Sequence, residues 1–305
     1  MFAGTPEPAL ASLNALLDSS HEVVAVVTRP DAPGGRGRTL QPSPVAARAA
    51  ELGLETLRPH RPRDPEFVAR LTELAPDCCP VVAYGALIPQ RVLDIPRHGW
   101  VNLHFSLLPA WRGAAPVQHA ILAGDEVTGA STFRLVAELD AGPVYATLTD
   151  TISSTDTAGD LLDRLAAAGS RLLVETLDGI ASGALEPHPQ PTDGVTFAPK
   201  ITVDDARLDW TRPAVTLDRR IRGCAPAPGA WTTFRGGRLK ILHAGVTDDS
   251  LAPGALAVTK RSVRVGTAST ALELQQVQAQ GKKAMSGPEW ARGIAFAPGE
   301  LLGQE

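Results

Sequence analysis

The sequence predicts an α/β chain in two parts, a mainly parallel sheet domain followed by a smaller β-barrel domain. Three observations predict it. Apolar runs alternate with helices that open on proline, a proline cluster interrupts the chain after residue 185, and beyond it the runs become short and are broken by Gly and Pro. The length of 305 residues suits two domains. They are expected over 1–185 and 204–305, joined by a proline-rich linker over 186–203.

Taken in order, the chain opens on a first strand cut short before Gly4, with Met1 directly ahead of Phe2. Thr5 fits a helix N-cap and Pro6 the first helical position, followed by Leu10, Leu13, Leu16 and Leu17 at helical spacing. The Val and Ala run within Glu22 to Thr28 predicts a parallel strand covered on both faces. Arg29 to Pro42 reads as a polar, glycine-rich loop. Ser43-Pro44 and Asp64-Pro65 repeat the cap-then-proline signal for two more helices, with short strands at Glu55 to Leu57 and Cys78 to Ala83. A further strand starts at Trp100, and a helix follows around Ala115 to Leu122. Ser131 to Leu139 and Val144 to Thr151 read as β, joined through Asp140-Ala141-Gly142-Pro143, and a long helix over Thr157 to Ala181 closes the domain. Repeated strand and capped-helix units of this kind make a Rossmann-like sheet.

Pro187, Pro189, Pro191 and Pro199 stiffen the chain and forbid regular structure there, which predicts an ordered linker without strands or helices. The runs beyond it are Ala230 to Phe234, Arg238 to Leu242, Leu256 to Val258, Val263 to Val265 and Leu272 to Val277, with Gly236-Gly237 as a hairpin turn. Strands of this length and spacing suggest a small OB-like barrel. Helices at about Pro213 to Arg222 and Ser286 to Arg292 are its only interruptions.

Composition narrows the function. With 44% hydrophobic and 20% charged residues the chain is globular. No apolar run approaches the roughly 20 residues of a membrane helix, and the N-terminus lacks a charged-then-apolar leader, so a cytoplasmic protein without a membrane partner is expected. Cys78, Cys79 and Cys224 form no spaced framework and read as buried thiols. A Cys/His cluster and a Gly-x-Gly-x-x-Gly turn are both missing, which argues against a metal site and a nicotinamide site. Residues 1–197 hold 14 Lys and Arg against 23 Asp and Glu, whereas residues 198–305 hold 15 against 10. A basic final third on an acidic protein suggests a polyanionic partner.

The sharpest signal is Trp100 to Gly113. Val101, Leu103 and Phe105 alternate with Asn102 and His104, so an amide and an imidazole share one face of a strand. The strand runs into a turn ending at Pro109 to Gly113, and strand ends are where α/β proteins place their sites. Two such donors can hold a carbonyl oxygen as it becomes an oxyanion, at about 3 kcal/mol per donor. Asp140, in the later turn, is a carboxylate that could fix the His104 tautomer and assist its proton. Asn, His and Asp together describe acyl transfer without a covalent intermediate. Ser106 lacks the Gly-x-Ser-x-Gly elbow of a nucleophile.

These residues, in the order Asn102, His104, Ser106 to Pro109, Arg112, Gly113 and Asp140, resemble the signature of the formyltetrahydrofolate-dependent formyltransferases. The resemblance to the branch that acts on aminoacylated initiator tRNA extends over nearly the whole chain. It is carried by Phe2 to Glu7, Thr28 to Asp31, Val82 to Gly85, Arg112 to Pro116, Asp156 to Gly159, Ala198 to Lys200 and Gly281 to Lys283. It implies that the formyl group on N10 of 10-formyltetrahydrofolate is attacked by the α-amine of the charged tRNA. Asn102 and His104 would then bind the oxyanion and Asp140 would orient His104. Ser106, Leu107, Leu108 and Pro109, with Tyr84 and Gly85, would line the folate pocket. Arg36 and Arg38 in the Gly-Arg loop, and Lys282 and Lys283 on the second domain, would contact the tRNA. No metal is implied, and a monomer is expected. The loop departs from the pattern by ending Arg38-Thr39-Leu40 without paired basic residues. A sugar-nucleotide amine as acceptor, or water, is the alternative at the same three residues.

Overall fold

The structure is a computed structural model and describes residues 1–34, 39–297 and 299–304. Its elements run β1 (Phe2–Gly4), α1 (Pro8–Leu17), β2 (Val26–Val27), β3 (Ala32–Gly34), β4 (Thr39–Gln41), α2 (Pro44–Glu51), β5 (Thr56–Leu57), α3 (Pro65–Leu74), β6 (Cys79–Val82), α4 (Gln90–Leu93) and β7 (Trp100–His104). Next come β8 (Arg112–Gly113), α5 (Pro116–Ala123), β9 (Val127–Arg134), β10 (Val144–Thr151), α6 (Ala158–Ser182) and β11 (Phe197–Ala198). The remainder is α7 (Ala214–Gly223), β12 (Trp231–Phe234), β13 (Gly237–Val246), β14 (Leu256–Val258), β15 (Val263–Val265), β16 (Leu272–Ala279), β17 (Met285–Ser286) and α8 (Gly287–Arg292).

The fold is the predicted α/β class. A seven-stranded sheet in the order β10-β9-β7-β6-β1-β2-β5 is parallel from β7 to β5, while β9 and β10 add an antiparallel edge. The later part of the chain forms an antiparallel half-barrel sheet in the order β12-β13-β16-β15-β14, with β17 on β16. The chain separates into two compact units. One holds Met1–Pro116, Val127–Thr151 and Leu162–Phe197, the other Val117–Glu126, Ile152–Leu161 and Ala198–Glu305.

The helix starts at α2 and α8 carry a side-chain cap, whereas Asp64 ahead of α3 turns its carboxylate back to the Arg61 N–H at 2.9 Å and caps nothing. Ser43 accepts the Ala46 N–H at 3.1 Å ahead of Pro44, and Ser286 with Glu289 makes a reciprocal capping box. Thr5 does not cap α1. Its hydroxyl donates to the Tyr84 carbonyl at 2.9 Å and accepts the Arg29 N–H at 3.3 Å, tying three strand ends together, and the helix begins at Pro8 instead. The run 22–28 forms a ladder only at Val26–Val27, where β1 lies alongside. The strand expected over 131–139 starts earlier and stops at Arg134, because the chain then turns through Asp140 at a φ of 48° to return as β10. The loop expected over 29–42 contains the β3-β4 pair. The linker carries regular pairing of its own: His188 exchanges two hydrogen bonds of 2.8 Å with Val144, and β11 pairs with β8. Proline removes its own N–H but leaves those of His188 and Thr196 free to bond.

The parallel sheet buries Ala3, Val27, Val81 and Trp100 against Phe67 and Leu71, and the antiparallel sheet buries Leu217, Ile241, Leu272 and Val277. At about 25 cal/mol per Å² of apolar surface, such side chains supply the main stabilisation. No helix among the described residues is long and apolar enough to cross a membrane.

Candidate active site

His104 ends β7, between parallel β6 and antiparallel β9, and only 6% of it is exposed. Its Nε2 lies 2.8 Å from the Trp111 carbonyl oxygen. A carbonyl only accepts, so Nε2 carries the hydrogen and Nδ1 is the free nitrogen of the neutral ring. Nδ1 faces Asp140 Oδ2 at 3.9 Å, beyond hydrogen-bond length. The tautomer expected to be set by Asp140 is therefore set by a backbone carbonyl. Burial pushes the imidazole below its ordinary value of 6.5, against smaller opposing effects of Asp140 and the Trp111 carbonyl.

Asn102 precedes His104 by one pleat repeat, and its amide oxygen is buried without a hydrogen-bond partner among the described residues. Such an atom is costly unless something binding there satisfies it. Asp140 Oδ2 accepts the Gly113 N–H at 2.7 Å, which pulls the carboxylate towards the turn after β7. Asn102, His104 and Asp140 thus come from two segments brought together by β7-β9 pairing. Trp111, at a φ of 59°, is held by its N–H on Thr196 Oγ1 at 2.8 Å. Gln190 donates from Nε2 to the Asp140 and Gly142 carbonyls at 2.7 and 2.8 Å. Neither Thr196 nor Gln190 was singled out by sequence. The only hint was their place in a proline-rich stretch that orders its backbone.

The residues expected to line a pocket divide in two. Ser106 and Tyr84 are buried; the Ser106 hydroxyl donates to the Ala110 carbonyl at 2.6 Å, and Ser131 bridges the Ser106 carbonyl and the Leu108 N–H at 2.7 and 3.1 Å. Leu107 and Pro109 are half-buried on the same turn. Gly85, at a φ of 80°, borders a cavity of about 620 Å³ with Leu87, Ile88, Ala137, Arg29 and Arg61. Leu87 is 79% exposed at its rim. The cavity lining combines apolar side chains with Arg29, Arg61 and Arg63, the mixture that suits an aromatic group carrying an anionic tail.

Arg36 and Arg38 lie outside the described residues. Lys282 and Lys283 are exposed in the turn between β16 and β17, after Gly281 at a φ of 73°. On the same sheet the Arg238 guanidinium stacks 4.2 Å from the Trp231 ring centre, beside a cavity of about 660 Å³ that Lys240 also lines. The three thiols are buried or half-buried, and burial raises Cys78 and Cys224 to about 11 and Cys79 to about 12. Among the described residues no group of His, Cys, Asp and Glu could hold a metal ion.

Residues 1–177 match the formyl transferase family, and residues 200–295 match the formyl transferase C-terminal domain. The methionyl-tRNA formyltransferase of Streptomyces coelicolor is 64% identical over 306 residues, covering 99% of each chain. That of Thermobifida fusca is 62% identical over 307 residues, covering 100% of this chain and 99% of its own. In fold, the chain resembles an N-formyltransferase from Helicobacter canadensis solved with folinic acid and dTDP-3-aminofucose. The TM-score is 0.68 at 15% identity, over 91% of this chain and 98% of that one. It also resembles Aquifex aeolicus HypX in complex with tetrahydrofolic acid, at a TM-score of 0.60 and 19% identity over 80% of this chain and 43% of that one. With both of its parts matched and near-identical lengths in its relatives, the chain belongs to the formyl transferase family.

Proposed function

We propose that this chain transfers the formyl group of 10-formyltetrahydrofolate to the α-amine of methionyl-tRNA, making formylmethionyl-tRNA for translation initiation. The observation that carries the reaction is the neutral, oriented His104 flanked by the Asp140 carboxylate and by Asn102, whose unpartnered amide oxygen can accept from the incoming amine while its amide nitrogen is left to donate. The acceptor follows from the full-length likeness to methionyl-tRNA formyltransferases. In this reading residues 1–185 carry the chemistry, 186–203 link, and 204–305 hold the tRNA, in a monomer that works in the cytoplasm.

The folate co-substrate is assigned to Ser106, Leu107, Leu108 and Pro109 with Tyr84 and Gly85, and the cavity beside Gly85 offers it the apolar Leu87 and Ile88 and the cationic Arg29 and Arg61. The amine nitrogen attacks the formyl carbon, and the carbonyl electron pair moves onto oxygen. Asn102 donates an amide N–H to that oxyanion. The proton released by the amine passes to His104 Nδ1, and the imidazolium so formed is stabilised by Asp140. Nδ1–H then serves the oxyanion or yields its proton to N10. As the oxyanion pair returns to carbon, the C–N10 bond breaks and N10 leaves with the bonding pair and that proton. Tetrahydrofolate and the formylated amine result, with no covalent enzyme intermediate. Lys282 and Lys283, and Arg36 and Arg38, are assigned to tRNA phosphates.

Release of tetrahydrofolate measured with and without methionyl-tRNA tests the reading. Turnover that requires the charged tRNA is expected. Turnover that ignores it, or that starts with a nucleotide-linked amino sugar, overturns it.

A further inference from the structure

We propose that Gln190, in the proline-rich segment after α6, is a positioning residue that holds Asp140 in place beside His104. The inference rests on the reading of Asp140 as part of the reacting centre.

Asp140 has a left-handed backbone, with φ at 48°. A non-glycine residue there is strained and persists only where its surroundings over-determine it. Gln190 provides the determination. Its Nε2 donates to the carbonyls of Asp140 and Gly142 at 2.7 and 2.8 Å, spanning the turn from both ends. Its Oε1 accepts from Arg112 Nε and Nη2 at 3.1 and 2.8 Å, so every polar atom of the amide is used. Arg112 is buried, and the next residue, Gly113, donates its N–H to the Asp140 carboxylate at 2.7 Å. The result is a closed ring: Arg112 orients Gln190, Gln190 holds the Asp140 backbone, and Gly113 holds its side chain.

The segment itself is fixed. His188 bonds twice to Val144, and Pro189 and Pro191 restrict the backbone on either side of Gln190. Six residues on, Thr196 takes the Trp111 N–H on its hydroxyl and the Arg112 N–H on its carbonyl. One stretch of chain thus braces both groups that flank His104: Trp111, which sets its tautomer, and Asp140, which faces Nδ1. The ionisable groups at this ring of contacts are His104, Asp140, Arg112 and Glu138, whose carboxylate lies 3.6 Å from Arg112.

The test uses Gln190→Ala and Gln190→Glu in the full-length protein. Glu keeps the shape and an acceptor for Arg112 but turns an oxygen towards two carbonyls, so both variants are expected to lose roughly tenfold or more in kcat. KM for the folate should stay within about twofold. On an Asp140→Asn background, Gln190→Ala should add little further loss, because both act through one carboxylate. Unchanged kcat in both variants, or a full multiplicative loss on that background, overturns the proposal. The proton affinity of His104, followed by its imidazole C–H resonances, reads the same geometry whatever the acceptor. Its titration midpoint should fall in Gln190→Ala, as is also expected in Asp140→Asn, where the charge that favours the imidazolium is gone. A midpoint that stays put overturns the proposal, while absence of tRNA-dependent turnover in the wild type overturns the functional reading alone.

Discussion

The Trp111 carbonyl oxygen and His104 Nε2 lie 2.8 Å apart, and this contact leaves the ring's other nitrogen turned towards Asp140. Because burial is the largest influence on His104, the ring stays neutral below its ordinary value of 6.5. The acid limb of the kcat–pH profile is therefore expected to fall at a midpoint below 6.5. The same shift acts on stability. The unfolded ring binds a proton at a higher pH than the folded one, so His104's contribution is complete above 6.5 and is lost as pH falls through the folded value. A kcat profile with its acid limb above the ordinary imidazole range would reject a neutral His104.

Gly142 lies two residues past Asp140, and a Cβ there would sit 1.7 Å from the Arg134 carbonyl oxygen. Gly142→Ala forces the turn away from β9 and takes Asp140 with it. Turnover is expected to fall by roughly tenfold or more, with a loss of about 1–3 kcal/mol in stability from overpacking. Denaturant unfolding and kcat on the same sample check both.

Ser131 is fully buried, donates to the Ser106 carbonyl and accepts from the Leu108 N–H. Ser131→Ala strips both backbone groups of that partner, at about 1–3 kcal/mol for an unsatisfied buried group. Thermal melting should register the loss, and a variant as stable as wild type would show that these groups have other partners.

Lys282 and Lys283 project from the β16-β17 turn into solvent. If each meets a phosphate, the Lys282→Ala/Lys283→Ala variant should bind methionyl-tRNA more weakly at low salt, with a log–log salt slope shallower by about 2. Folate binding should not change. An unaltered slope would place the tRNA contacts elsewhere.

Much of the site was legible because it obeys a short period. Asn102 and His104 share a face by the two-residue repeat of a strand, and the Asp140-Ala141-Gly142-Pro143 turn announces itself by its residue types. Gln190 was not legible: it meets Asp140 across 50 residues, through a side-chain amide bonded to backbone carbonyls, and any backbone would look alike in sequence. The Trp111 carbonyl was hidden for the same reason, since every residue has one. In the fold, the helix cap at Ser43 was readable locally, as was the start of the last helix at about Ser286. The β3-β4 pair was not, because each strand is three residues long and β3 reads Ala-Pro-Gly, with two residues that disfavour strands.

Single-turnover formyl transfer to methionyl-tRNA by Asn102→Ala, His104→Ala and Asp140→Ala, each shown to be folded by thermal melting, tests the central claim most directly. Each variant is expected to lose about two or more orders of magnitude in rate. Rates near wild type in any one of them would contradict the assignment of that residue, and near-normal rates in all three would place the reaction elsewhere on the protein.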